Sequence, residues 1–222
     1  MSEIKQMKWW GWGEEDVEFD DSERPGLWPF VDNFFRLNGK ITWTTPVDFS
    51  DIKLPKAQLN RDFLKEIRVA IGKEQVKTDK MERIVHAYGK SFRDLLRVRK
   101  GEIKAAPDCV VYPKTEEHVV AIMNAAVRHN VVLIPFGGGS NIAGCLEAKD
   151  SKKRMLVSLD MKGMNDLLFI DTSSRVARIQ AGALGPRVEE LLSGHGFTLG
   201  HDFLINELMS FSTGLGYTDS DS

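Results

Sequence analysis

The residues best suited to chemistry are three successive glycines, Gly137-Gly138-Gly139, preceded by Pro135 and Phe136 and followed by Ser140 and Asn141. Glycine reaches φ values that other residues resist and leaves no side chain between the main chain and a ligand. The amide N–H groups of such a run can converge on one small volume, which favours a phosphate, and Ser140 and Asn141 add side-chain donors. A tight strand-to-strand turn uses the same composition, so the glycines alone leave two readings open. Two better-known phosphate loops are excluded by spacing. A P-loop requires lysine directly after its last glycine, whereas Gly139 to Gly144 is followed by Cys145-Leu146. A Rossmann fingerprint requires glycine or alanine three positions after Gly139, where this chain has Ile142, and no clear long helix follows.

The other reactive side chains are scattered. His86, His118, His129, His195 and His201 show no metal-ligand spacing, so no metal is expected and the histidines take structural or surface roles. Asp94, Glu189 and Glu190 fall on helical stretches without a partner placed for acid–base work and are expected to face solvent. No catalytic residue can be named. Cys109 and Cys145 have neither zinc-site nor disulfide-framework spacing, and a reducing compartment fits them. Trp9, Trp10 and Trp12 read as core or domain packing, with a membrane-interface anchor as the second reading.

The elements that must position these residues follow from periodicity. The stretch before about Pro55 is acidic, contains proline and predicts irregular structure. Phe63, Ile67 and Ile71 recur four apart and predict a helix over 60–71. Ile84, Val85, Tyr88, Phe92, Leu95 and Leu96 predict another over 81–98. After about Gly101 short apolar runs alternate with helical periods. Cys109-Val110-Val111-Tyr112 predicts a strand closed by Pro113. Thr115 is then the N-cap of a helix ending near His129-Asn130. Val131-Val132-Leu133-Ile134 is continuously apolar, as a strand covered on both faces would be, and the glycine run follows it. Strands are predicted over 155–159, 167–170 and 176–179. A last helix starts at Pro186, buries Val188, Leu191 and Leu192, and stops at Gly194. The order strand, helix, strand, glycine loop, three strands, helix is an α+β or α/β sandwich.

Composition sets wide bounds. Across 222 residues, 42% hydrophobic and 28% charged side chains match ordinary globular usage, and a net charge of -2 gives no electrostatic reason to expect nucleic acid. The basic runs 93–100 and 152–154 have acidic neighbours and read as solvated faces. The amino terminus lacks an apolar signal region, and no uncharged apolar run approaches the ~18 residues of a membrane span. The final Ser220-Asp221-Ser222 is no peroxisomal or retention tripeptide, so a soluble cytoplasmic protein, or one peripheral to a membrane, is expected.

Several segments together resemble a known family. Ala106 to Pro113, the helix after it, and Ile134 to Asn141 resemble the FAD-binding domain shared by vanillyl-alcohol oxidase and p-cresol methylhydroxylase. Within that superfamily the chain looks most like the alkyldihydroxyacetonephosphate synthases. The segments Met7 to Gly13, Arg83 to Gly89, Ser158 to Asn165 and Ala181 to His201 agree with that branch. The resemblance implies an α+β fold of the FAD-binding PCMH type. Residues 101–222 would form that domain, its first lobe complete and its second truncated, and residues 1–100 a partly helical extension. It further implies FAD bound with its pyrophosphate on Pro135, Phe136, Gly137, Gly138, Gly139, Ser140 and Asn141. Some relatives tether FAD through a histidine in this loop; Gly139-Ser140-Asn141 has none, so non-covalent FAD is expected. The implied reaction exchanges the acyl chain of acyl-dihydroxyacetone phosphate for a fatty alcohol in ether-lipid synthesis, without net electron transfer. Contact with a lipid substrate follows, and peripheral membrane contact and a homodimer are kept open.

Beyond Gly200-His201 the sequence departs from the family pattern. A flavin-lining Glu-Phe-Ser-Thr is replaced by Met209-Ser210-Phe211-Ser212-Thr213, so Phe211, Ser212 and Thr213 are the remaining cofactor candidates, with His201 beside them. The family's catalytic half has no counterpart here, and a truncated form with weak FAD affinity and poor solubility is expected. The alternatives are an FAD-linked oxidase or dehydrogenase of a hydroxy acid, and an inactive remnant.

Overall fold

The computed structural model describes residues 7–13, 15, 22, 24–40, 45–149 and 153–200. Among its described residues the segment expected to be irregular holds an α-helix, α1 (Leu27–Phe35), in whose first turn Pro29 is tolerated because no intrahelical N–H is needed there, and a 3-10 turn at Phe49–Asp51. None of the residues of α1 is buried.

The predicted helix at 60–71 forms as α2 (Arg61–Ile71). Asn60 caps it by accepting from the amides of Asp62 and Phe63, and Phe63, Leu64, Ile67 and Ile71 face inward. A short strand, β1 (Val76–Lys77), follows. The helix predicted over 81–98 is instead two, α3 (Lys80–Val85) and α4 (Phe92–Arg99). Ser91 starts the second by accepting from the Asp94 amide. The apolar spacing runs through the break because Ala87 and Tyr88 are buried without being helical. The inward face of α4 also differs from expectation. Asp94 and Val98 are buried, while Phe92 and Leu96 are exposed. Asp94 is therefore no solvent-facing carboxylate, because its charge is paired with Arg97, which also reaches Glu147 at 3.0 Å.

Next come β2 (Cys109–Val111), α5 (Glu116–Arg128), β3 (Val132–Phe136) and β4 (Leu156–Asp160). Thr115 caps α5 by accepting from the His118 amide. The four strands form one sheet in the order β1-β2-β4-β3, with β2, β4 and β3 parallel and β1 antiparallel to β2. A parallel neighbour needs a crossover, which α5 supplies between β2 and β3. The chain then returns to insert β4 between them. β3 is consequently an edge strand, only partly buried, with Pro135 exposed; the strands covered along their whole length are β2 and β4. Continuous apolarity marked a parallel strand correctly but could not say which strand would be central. Proline suits the edge because its missing N–H costs no ladder bond there.

The main core lies between this sheet and the pair α2–α5. Phe63, Ile67 and Val76 pack with Cys109, Val111, Ile122, Val157 and Leu159, so it draws on residues from both sides of position 100. A hairpin of β5 (Leu167–Asp171) and β6 (Val176–Ile179) follows, then α6 (Gly185–Ser193), with a small core of Ala183, Val188 and Leu192. Among the described residues no helix is long and apolar enough to cross a membrane.

Candidate functional site

Parallel sheets bind ligands in the crevice outside the carboxyl ends of their strands. Here β3 and β4 end side by side, with Phe136 in register with Asp160, and the glycine run leaves β3 at that end. Gly139 has φ 70°, and a Cβ on it would stand 2.7 Å from Phe136 Cζ. Glycine is thus required there both by the backbone and by the ring beneath. Among the described residues, the amides of Gly138, Gly139, Ser140 and Asn141 and the Ser140 hydroxyl donate to no protein acceptor. A run of backbone donors without protein acceptors, on three glycines followed by Ser140 and Asn141, is the chemical composition of an anion cradle.

The structure divides the expected site residues. Gly137, Gly138 and Ser140 lie half-buried along the loop, and Gly139 is buried against Phe136. Pro135 sits exposed on the strand edge, and the Phe136 side chain is buried under the loop. Asn141 is partly committed: its Oδ1 accepts from the Cys145 amide at 3.0 Å, and its carbonyl accepts from the Lys90 amide at 2.8 Å. Its backbone amide and side-chain N–H groups are what it can offer a ligand as donors. Phe211, Ser212, Thr213 and His201 lie outside the described residues.

Sequence reasoning missed the segment that holds this loop, residues 86–90. A Cβ on Gly89 would fall 1.8 Å from the Asn141 carbonyl oxygen, so backbone rests directly on backbone. His86 is buried. Its Nε2 lies 2.9 Å from Asp160 Oδ2, its Nδ1 lies 2.7 Å from the Glu82 carbonyl oxygen, and its ring stands 4.2 Å from that of Phe136. The Tyr112 hydroxyl donates to Glu82, and burial together with the carboxylates of Asp160 and Glu82 pushes its pKa far above the ordinary phenol value. The other Asp160 oxygen accepts from the Lys162 amide at 2.8 Å. The signal that could have found this network was the run Arg83 to Gly89, which the resemblance marked without giving a reason.

Lys90 continues the same strut. Its ammonium donates to the carbonyls of Gly11, at 2.7 Å, and Lys8, at 3.3 Å, and burial lowers its pKa to about 8. This ties the tryptophan-rich segment to the glycine loop. Trp9 packs on Phe49, with ring centroids 5.8 Å apart, which favours the packing reading of that cluster. Arg83 anchors the segment at its other end by donating to the carbonyls of Pro107, at 2.7 Å, and Pro55, at 2.8 Å. No cluster of metal-ligating side chains occurs among the described residues.

Comparison with known proteins agrees with this geometry. Residues 107–210 match the family described as FAD binding domain. The chain is 36% identical over 217 residues to an alkyldihydroxyacetonephosphate synthase of Trypanosoma brucei brucei, covering 90% of this chain and 35% of that protein. It is 36% identical over 220 residues to the synthase of Dictyostelium discoideum, covering 89% of this chain and 36% of that protein. A solved alkyldihydroxyacetonephosphate synthase superposes with a TM-score of 0.82 at 33% identity, over 93% of this chain and 42% of that one. A more distant relative is the D-2-hydroxyglutarate dehydrogenase of Stutzerimonas stutzeri, 27% identical over 141 residues. The fold is that of an FAD-binding PCMH-type domain, and the chain spans about a third of the length of the curated synthases it matches.

Proposed function

We propose, from the premise that this chain carries an FAD-binding domain and resembles alkyldihydroxyacetonephosphate synthases, that its glycine loop holds the pyrophosphate of a non-covalently bound FAD. The observation that carries this reading is the set of amides at 138–141 that, among the described residues, have no protein acceptor, at the carboxyl end of β3. Two negative phosphates there accept from backbone donors that need not move to meet them. The cofactor residues in this reading are Gly137, Gly138, Gly139, Ser140 and Asn141, with Pro135 and Phe136 framing the loop and Phe211, Ser212 and Thr213 as further candidates from the sequence. Because the loop holds no histidine, it offers no imidazole for covalent attachment.

Bound FAD supplies the flavin ring on which synthases of this kind exchange an acyl for an alkyl chain on acyl-dihydroxyacetone phosphate. This chain's own share of that work is to bind and orient the cofactor's phosphates. The whole reaction, its lipid partners, peripheral membrane contact and a homodimer belong to the proposal on the strength of the resemblance. Oxidation of a hydroxy acid is the second reading, favoured by the likeness to the D-2-hydroxyglutarate dehydrogenase.

The test is ligand preference. FAD and ADP are expected to bind in competition and riboflavin, which lacks phosphate, far more weakly. Gly139→Ala is expected to weaken FAD binding about tenfold or more, because the methyl group meets Phe136 and the backbone disfavours φ 70°. Gly144→Ala carries the same backbone cost, with φ 81°, but meets nothing within 4 Å and serves as the control. Binding of riboflavin as tight as that of FAD, or binding of neither FAD nor ADP, would sink the proposal.

A further inference from the structure

We infer that His86 is the positioning residue of the glycine loop, setting its height through the ring of Phe136. The inference deepens the flavin reading but rests on contacts that exist without flavin. His86 cannot turn freely. The Glu82 carbonyl can only accept, so Nδ1 carries a proton, and Nε2 meets the Asp160 carboxylate. Two fixed acceptors on opposite corners of the imidazole define its plane. That plane bears on Phe136, whose far edge touches the Gly139 backbone closely enough that a Cβ would stand 2.7 Å away. A continuous line of contact therefore runs from the end of β4, through His86 and Phe136, to the middle of the proposed phosphate cradle. Asp160 anchors its lower end, because β4 is buried throughout. The charged groups around the imidazole are the Glu82 carboxylate, 3.7 Å from Nδ1, the Asp160 carboxylate, and Lys162, whose ammonium lies 3.8 Å from Asp160.

Hydrogen exchange tests this in the flavin-free chain. The Cys145 amide is bonded to Asn141 Oδ1, so its protection reports whether the loop is in place, while the amides of β4 report global unfolding. His86→Gln and Phe136→Leu are each expected to lower protection at Cys145 about tenfold with β4 protection retained. The double variant is expected to lose little more than the worse single, as for residues acting in series. Asp160→Leu is expected to behave like His86→Gln. Asp160→Asn is expected to recover most of the protection, since its amide can donate to Nε2 while Nδ1 still donates to Glu82. That rescue separates orientation of the ring from bulk packing. Unchanged Cys145 protection in His86→Gln, loss at Cys145 and β4 together, or strictly additive losses would overturn the assignment. FAD affinity, read in the same variants, is expected to fall in parallel. If wild type binds no FAD while Cys145 protection still responds as described, the flavin reading fails and the positioning role stands.

Discussion

The four-stranded sheet and the β5–β6 hairpin are built from similar local sequence and end in different states. β3 reads Val-Leu-Ile-Pro-Phe and β5 reads Leu-Leu-Phe-Ile-Asp, yet only the first belongs to a sheet whose central strand is completely buried. The sheet has α2 and α5 over one face and α3 beside β2 on the other, and its core extends from Phe63 to Leu159. Among the described residues the hairpin has α6 packed on it, a core of Ala183, Val188 and Leu192, and exposed Leu168, Phe169 and Val176. A groove of about 620 Å³ remains between β5, β6 and α6, lined by Ile170, Ile179, Val188, Leu192, Phe197 and Leu199 among others. Apolar sequence stabilises a strand only where a second layer removes it from water, and the hairpin shows the sequence signal without most of the burial.

The largest expected contrast between the regions is in stability. Phe63→Ala, at a fully buried position of the main core, is expected to cost about 3–5 kcal/mol in urea unfolding. Val176→Ala, on the exposed hairpin, is expected to stay within about 0.5 kcal/mol. Comparable losses at the two sites would erase the distinction.

A smaller effect comes from Lys90, which belongs to the strut of the first region alone. Its folded-state pKa of about 8 lies below the ordinary lysine value, so between about pH 8 and 10.5 the unfolded chain holds a proton that the folded one has released. Stability should therefore rise with pH across that window, by at most about 3 kcal/mol relative to Lys90→Met. The penalty is constant below pH 8. Unfolding midpoints compared in wild type and variant check the sign, and a fall across the window would contradict burial as the cause of the lowered pKa.

The smallest effect is on thiol reactivity. Cys109 lies in β2 with its pKa raised to about 12 by burial, whereas Cys145 is exposed beside the glycine loop. Alkylation at neutral pH should modify Cys145 and spare Cys109, and FAD should slow the modification of Cys145. Mass spectrometry reads both.

Much of the fold was legible from particular residues. Asn60, Thr115 and Pro186 marked helix starts that the structure keeps, and the strands around 109–111, 156–160, 167–171 and 176–179 fell where apolar runs lay between turn residues. The helix over 81–98 misled because buried residues of an irregular segment can keep a helical spacing. α1 was overlooked because Pro29 and the acidic, proline-containing sequence around it read as irregular, although its apolar residues do carry a helical period. Within the site the glycine run stood out, since its composition is rare. The struts did not, because a histidine, a glycine and a lysine in ordinary sequence mean nothing until their partners, 74, 52 and 79 positions away, are known.

Sequence by itself determined what local chemistry can determine: where most of the helices and strands fall, that the parallel strands are apolar, and that residues 137–139 present backbone instead of side chains. It also excluded the Walker and Rossmann loops by spacing alone. Tertiary structure decided which strand is central, that His86 bears on Phe136, and that the Asn141 carbonyl rests on Gly89. These depend on contacts between residues far apart in the chain, and such contacts are fixed by how the layers pack, not by any one segment's propensity.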